Sequence, residues 1–351
     1  MRISIILPWY DSRYPSGGVL NIYKYAKLLA KQGHYINIIY NCDKGKNKLR
    51  IPSYLRYKKR KKITIAQDKF EQYNNICEIP VYCVNNKIPS ADFVIATALI
   101  TVPLVKKLNS AKGKKIYFIQ GFENWVKSDE YVYKSYELGM INITVSKWLY
   151  KLVDEHSIGK TYYLPNAVDD DFIIQDEIEK RNPKSICFMY VPIESKGTYD
   201  LLKAINLIHE QYPDTKIESF GIYPNVSDLP SFITYTYNPS RDKLNEIYNR
   251  NSIFVCASWL EGFGLTAAES MKSGCCLITT DNKGVRDFAE DGLTALVCEP
   301  KKPIQIANAI ERVLLNNDLR IKIAKNGLSR ISDFNWDKNI KEINKILKEN
   351  I

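Results

Sequence analysis

The chain has 351 residues, 45% hydrophobic and 25% charged. That balance suits a soluble globular protein with more than one core and excludes a disordered or collagen-like chain. Its eight cysteines include no CxxC pair and it has only three histidines, so zinc-site spacing is absent, no bound metal is expected, and a reducing cytoplasmic setting is expected. The net charge of +11 favours an anionic partner without choosing among lipid surface, nucleic acid and phosphorylated substrate.

In chain order, residues 3–7 form an apolar run expected to be a strand. The run is too short for a secretory signal and is ended by Pro8. Ser16-Gly17-Gly18 then precede a helix, in which Val19, Ile22, Tyr23, Ala26, Leu29 and Ala30 recur at helical spacing and Gly33 marks the end. Backbone N–H groups at Gly17 and Gly18 could face a phosphate, although a Gly-Gly pair before a helix is often only a turn. Residues 35–40 are the next strand. Residues 44–77 are polar, basic and poorly periodic and are expected to leave the sheet. They include Arg56-Tyr57-Lys58-Lys59-Arg60-Lys61-Lys62, which reads either as a solvated loop or as a patch for anionic headgroups at the inner face of a membrane. No nucleic-acid motif accompanies the charge, so nucleic acid is not an expected partner.

The longest uncharged apolar stretch, 93–105, falls short of the roughly 18 residues a membrane span needs and reads as strand, turn and helix start. Further strands are expected at 115–119, 141–145 and 161–164. Strands alternating with helices imply a doubly wound parallel sheet. Residues 169–183, charged and ending in Pro183, read as a linker. A second alternating set follows, with strands at 185–190, 216–220, 233–235, 253–257, 276–279 and 295–297. The expectation is therefore α/β: two Rossmann-like domains, 1–168 and 169–335, with ligands at the carboxyl ends of their strands. Residues 336–351 carry an amphipathic helix with Ile340, Ile343, Ile346 and Leu347 on one face.

The densest chemistry lies in 252–300. An apolar strand leads into Glu261-Gly262-Phe263-Gly264-Leu265, and the helix after it carries Glu269 and closes at Gly274. A glycine turn at a helix N-terminus suits a phosphate, because the N–H groups and the helix dipole point the same way. Two carboxylates separated by seven residues suit vicinal hydroxyls, such as those of a ribose and a hexose. A site holding both fits a nucleotide sugar.

This segment resembles the Glu-x7-Glu motif of the retaining family-4 glycosyltransferases, which have the GT-B fold. The match extends over E-G-F-G-L-x-x-x-E, a following S-G and a later D-G-x-x-x-L-V. Ser146-Lys147-Trp148 and Pro165-Asn166-Ala167-Val168-Asp169 resemble elements that end the family's first domain, with Ala167 in place of the usual glycine. The resemblance implies two domains facing a cleft, a final helix crossing back to the first domain, and transfer of a hexose-type sugar, with retention and without a metal, from a UDP- or GDP-linked donor. The acceptor implied is a hydroxyl of a glycan or lipid-linked glycan in cell-surface polysaccharide synthesis.

It also implies roles. Glu269 holds the ribose and Glu261 the donor sugar. Phe263, Gly264, Leu265 and Thr266 cradle phosphate and sugar, Lys196 neutralises the diphosphate, and Gly17 and Gly18 close on it from the first domain. Gln120 stands near where many members have a histidine, close to Glu123, which reads either as part of the site or simply as a surface residue or helix cap. The companion arginine expected five or six positions before Lys196 is replaced by Val191 and Tyr190, so Arg241 is a candidate substitute. Two other readings stand beside this one: a non-catalytic protein that binds nucleotide sugars, and a nucleotide-sugar epimerase.

Overall fold

The computed structural model describes residues 1–8, 16–41, 70, 72–81 and 88–351; the basic cluster at 56–62 lies outside the described residues. The chain divides into two compact units, one of residues 1–165 with 337–351, the other of residues 166–336.

The first unit holds a seven-stranded parallel sheet. Its strands are β1 (Arg2–Leu7), β2 (Tyr35–Asn41), β3 (Ile76–Val81), β4 (Phe93–Ala96), β5 (Lys114–Ile119), β6 (Ile141–Thr144) and β7 (Thr161–Tyr163), in the order β3-β2-β1-β4-β5-β6-β7. Helices α1 (Gly17–Lys31), α2 (Val102–Lys107), α3 (Asp129–Tyr136) and α4 (Lys147–His156) connect them. β1 and β4 are apolar because both their faces are covered: Ile3, Ile5, Ile6, Phe93, Val94 and Ile95 are all buried. The sheet order reverses direction between β1 and β4.

β3 corrects the reading of 44–77 as wholly outside the sheet. Residues 76–81 pair in parallel with β2 at the sheet edge, with Ile38 opposite Glu78 and Tyr40 opposite Pro80. An edge strand tolerates a proline and a charge that would disqualify a central one, which is why its sequence reads so weakly.

The second unit repeats the plan with β8 (Ser185–Met189), β9 (Lys216–Gly221), β10 (Ile233–Tyr237), β11 (Ile253–Cys256), β12 (Cys276–Thr280) and β13 (Leu296–Cys298), ordered β10-β9-β8-β11-β12-β13 and all parallel. Its helices are α5 (Thr198–Gln211), α6 (Arg241–Arg250), α7 (Leu265–Lys272), α8 (Pro303–Leu315) and α9 (Asn317–Ile331). One core covers a single face of the sheet, where Ile186, Phe188, Val255 and Ile278 pack with Ile205 of α5, Ile310 of α8 and Ile323 of α9. Here the order reverses between β8 and β11.

Residues 169–183 are a packed strap of this unit and not a loose linker. Phe172 is fully buried, and the buried guanidinium of Arg181 donates to the carbonyls of Asp176, Tyr248, Asn251 and Ser273 and to Asn249 Oδ1. Asn245 and Asn249 of α6 accept from the N–H groups of Ile173 and Gln175. The strap is held by Phe172, Ile178 and Arg181, the one charge it buries, whose donors all find partners, while its other charges stay at the surface.

The last helix, α10 (Trp336–Glu349), packs in the first unit. Ile340, Ile343, Ile346 and Leu347 are buried, each such side chain contributing roughly 1.5–3 kcal/mol. Asn339 donates to Tyr25 Oη and to the Pro165 carbonyl, Asn344 meets His34 at 2.9 Å, and Asn350 donates to Tyr162 Oη.

Candidate active site

In an open α/β sheet, the point where strand order reverses leaves a crevice at the carboxyl ends of the two diverging strands. In the second unit that point lies between β8 and β11, and the segments that leave these strands are stitched together. Trp259 N–H donates to the Ser195 carbonyl at 2.8 Å. Gly197 (φ +63°) lies so close to the Ala257 carbonyl that a Cβ there would fall 1.9 Å from its oxygen. Only glycine fits this conformation and this approach.

The stitching brings Lys196 and Glu261, 65 residues apart in sequence, into a 2.7 Å ion pair. Burial alone would lower the Lys196 ammonium; the charge and hydrogen bond of Glu261 outweigh it and hold lysine above its ordinary value. Glu261 is itself braced by β12's exit. Its N–H donates to the Asn282 carbonyl, and Gly284 packs so tightly that a Cβ would lie 2.9 Å from Glu261 Cβ. Lys283, between these two, has a φ of +66°, a backbone conformation costly for lysine.

Gly264 caps α7 in the left-handed conformation (φ +98°), so the turn Glu261–Gly264 swings the chain into the helix. The Phe263 side chain is buried against Phe288 and Phe334 and anchors this turn. Leu265 and Thr266 open α7, whose first N–H groups have no partner within the helix. Glu269 sits on the second turn of α7. Tyr248 Oη lies 3.4 Å from its carboxylate. Enclosure pushes the Glu269 carboxyl up to about 7; the Arg241 charge opposes this, the Asp169 charge adds to it and the Tyr248 hydrogen bond opposes it. Arg241 is engaged elsewhere: it pairs with Asp169 and Asp171 and lies over the Phe172 ring.

The first unit has its reversal between β1 and β4. Gly17 and Gly18 form the opening turn of α1, capped by Ser16, and do not precede the helix as the sequence suggested. Gln120, at the exit of β5, donates from Nε2 to the Thr97 carbonyl at 3.3 Å, while Thr97 Oγ1 donates to the Ile6 carbonyl of β1. Gln120 Oε1 is buried with no hydrogen-bond partner among the described residues, and a Cβ on Gly18 would lie 2.8 Å from it. Glu123 is half-buried and caps a helical element from a distance: its carboxylate accepts at 2.9 Å from the N–H of Leu99, the first residue of the 3-10 turn 99–101 that leads into α2. Burial pushes it up to about 7, with the Leu99 hydrogen bond opposing.

The structure thus lines up Glu261, Phe263, Gly264, Leu265, Thr266 and Glu269 along one turn and helix, pairs Glu261 with Lys196 from the segment after β8, and gathers Gly17, Gly18 and Gln120 at the other reversal point. Sequence reasoning missed Thr97, Tyr248, Asn282 and Lys283. Only Lys283 carries a local sign, a lysine next to glycine in a turn.

Residues 169–330 match the family model described as glycosyl transferases group 1. An uncharacterized glycosyltransferase of Methanocaldococcus jannaschii is 26% identical over 214 residues, 59% of each chain. The capsular polysaccharide biosynthesis glycosyltransferase CapM of Staphylococcus aureus is 26% identical over 170 residues, 45% of each chain. The matches thus span about half the length of these relatives. In fold, the chain is similar over 99% of its length to all of Anabaena HepE, solved with UDP and glucose, with a TM-score of 0.73 at 13% identity. The paired Rossmann-like sheets are those of the GT-B fold. Among the described residues no helix is long and apolar enough to cross a membrane.

Proposed function

We propose that this protein transfers a hexose-type sugar from a nucleotide-sugar donor to a hydroxyl of a glycan or lipid-linked glycan, with retention and without a metal. The observation that carries the proposal is the convergence of Lys196 and Glu261 at the reversal between β8 and β11, beside the N-terminus of α7. A cation, a row of helix N–H groups and a carboxylate are the groups a sugar diphosphate needs. In this reading Lys196 and the α7 N-terminus take the charge that develops on the departing diphosphate, the largest single contribution to such a reaction. Glu261 accepts from donor-sugar hydroxyls. Glu269 accepts from the ribose hydroxyls, and Tyr248 fixes its orientation.

In the proposed front-face displacement, the acceptor oxygen forms its bond to the anomeric carbon on the face from which the diphosphate leaves. The glycosidic electron pair departs with the diphosphate, and the acceptor's proton passes to a diphosphate oxygen. The neutral amide of Gln120 serves this scheme, since no strong protein base is required. Support for the class comes from the family match and from the CapM and HepE relatives.

Calorimetry with UDP, GDP, ADP and dTDP on the wild type and Glu269→Ala tests the reading. One nucleotide should bind the wild type and lose affinity at least tenfold in the variant. Absence of binding by all four would defeat it. Tight binding without any transfer to acceptors would favour the non-catalytic reading.

A further inference from the structure

In the first unit the transfer chemistry uses Gln120, and what holds that side chain reaches beyond its own bonds. The exits of β4 and β5 are joined by two side-chain rungs. In one, Gln120 Nε2 donates to the Thr97 carbonyl at 3.3 Å. In the other, further along the same β5 exit, the Glu123 carboxylate accepts from Leu99 N–H at 2.9 Å. The segment from Thr97 to Thr101, where both rungs land, is bound into one piece. Thr101 is fully buried; its Oγ1 accepts from the N–H groups of Thr97 and Ala98 and donates to the Ala98 carbonyl. Thr97 Oγ1 pins the same segment to the Ile6 carbonyl of β1. On the β5 side, Phe122 is buried against Tyr133, and Asn124 and Val126 donate back to the carbonyls of Phe122 and Glu123. A buried network so fully bonded is stiff, so a shift at Leu99 is carried to Thr97 and to the amide bonded there.

The rungs differ in one respect. The amide is neutral at every pH, whereas the carboxyl titrates. Little around Glu123 offers its charge support. The phenols of Tyr117 on β5 and Tyr136 on α3 face it; burial first, and then the Glu123 charge, push both up, so they stay neutral. His156 of α4 stands further off, stacked on Tyr133. Among the described residues no cation pairs with Glu123. Burial therefore pushes its carboxyl up to about 7, with the Leu99 hydrogen bond opposing. Once ionised, the carboxylate holds Leu99 N–H in a charge-assisted bond, shorter and about twice as strong as a neutral one. The Leu99 rung tightens as pH rises through neutrality. Gln120 has no proton of its own to lose in this range, so any pH dependence of its placement comes from a neighbour.

We propose that Glu123 is the positioning residue for Gln120: acting through Leu99, Thr101 and Thr97, its carboxylate sets where the amide stands and makes that placement follow pH. The inference rests on the glycosyl-transfer reading above, which gives Gln120 its part, and adds the group that governs it. Gln120 is held firmly while Glu123 is ionised and more loosely once Glu123 is protonated.

Nuclear magnetic resonance of the isotope-labelled full chain tests this. It follows the Leu99 amide and the Gln120 side-chain amide, the latter identified with Gln120→Leu, across roughly two pH units either side of neutrality. In the wild type both should titrate together with a midpoint of about 7, the Leu99 proton moving downfield as the carboxylate forms. Glu123→Gln, which keeps an acceptor for Leu99, should abolish both titrations. Thr101→Val, which cuts the link inside the turn, should leave Leu99 titrating and silence Gln120. A Gln120 signal indifferent to pH in the wild type would overturn the proposal. So would a Gln120 titration that survives Glu123→Gln or Thr101→Val, or one that is lost in His156→Gln. Nucleotide calorimetry on the same samples separates the two failures. Binding retained without coupling removes only this proposal; coupling without binding of any nucleotide leaves the rungs in place and removes the part of Gln120 in transfer.

Discussion

The two sheets reverse their strand order in the same way, yet what fills the two reversal points differs. In the second unit the crevice is charged and close-fitted: Lys196 meets Glu261, Gly197 touches Ala257, and Gly284 presses on Glu261. In the first unit it is neutral: the Gln120 amide bridges to Thr97 beside Gly18. One topology therefore presents two chemistries. A fixed charge constellation suits one recurring ligand, a diphosphate. A neutral amide suits sugars, whose variety lies in their hydroxyls.

The comparison breaks most visibly at Gly197. Replacing it with alanine forces a Cβ into a backbone carbonyl at a left-handed φ, so Gly197→Ala should cost about 3 kcal/mol or more. Urea unfolding would show a lower midpoint for the second unit. An unchanged midpoint would mean that the segments after β8 and β11 are not tightly joined. Lys196→Met is the next largest. It removes the cation while keeping the stem, so turnover should fall about 100-fold with little change in folding, as expected when a charge-stabilising group is lost. A variant of full activity would move the diphosphate away from this crevice.

The smallest effect sharpens the first unit. Glu123 is pushed up to about 7 in the folded chain, so between roughly pH 4.5 and 7 the folded state holds a proton that the unfolded state releases. The stability linked to this group is present at low pH and lost as pH rises through 7. Glu123→Gln keeps an acceptor for Leu99 N–H and removes the titration. Its melting temperature should exceed that of the wild type at pH 8, by a few degrees, with the gap closing near pH 4.5. Parallel curves across this range would show that the carboxyl is not held in a dry site.

Much of this was legible because parallel strands covered on both faces read as continuous apolar runs: β1, β4, β8, β11 and β12 stand out directly. The turn from Glu261 to Gly264 and the helix bearing Glu269 were legible because glycine and helix-start signals are local. The Lys196–Glu261 contact was not, since 65 residues separate the partners and only the sheet order brings them together. The same holds for the inward turn of Glu123, whose partner, Leu99 N–H, is a backbone group with no signature in sequence. β3 was hidden by Pro80 and Glu78, which an edge position tolerates. The strap at 169–183 was hidden because most of its charges are indeed exposed, and the single buried one, Arg181, has backbone acceptors that carry no sequence sign.

The return of α10 to the first unit also has a kinetic meaning. The first unit is discontinuous in sequence, with residues 166–336 intervening before its closing helix. During synthesis, the second unit has all its strands and helices in hand while the first still lacks Asn339 for Tyr25 and Asn344 for His34. The half of the protein made first is thus the half completed last. Until α10 arrives, the surface it will cover is open to chaperones, and a ribosome stalled before residue 337 would leave it so.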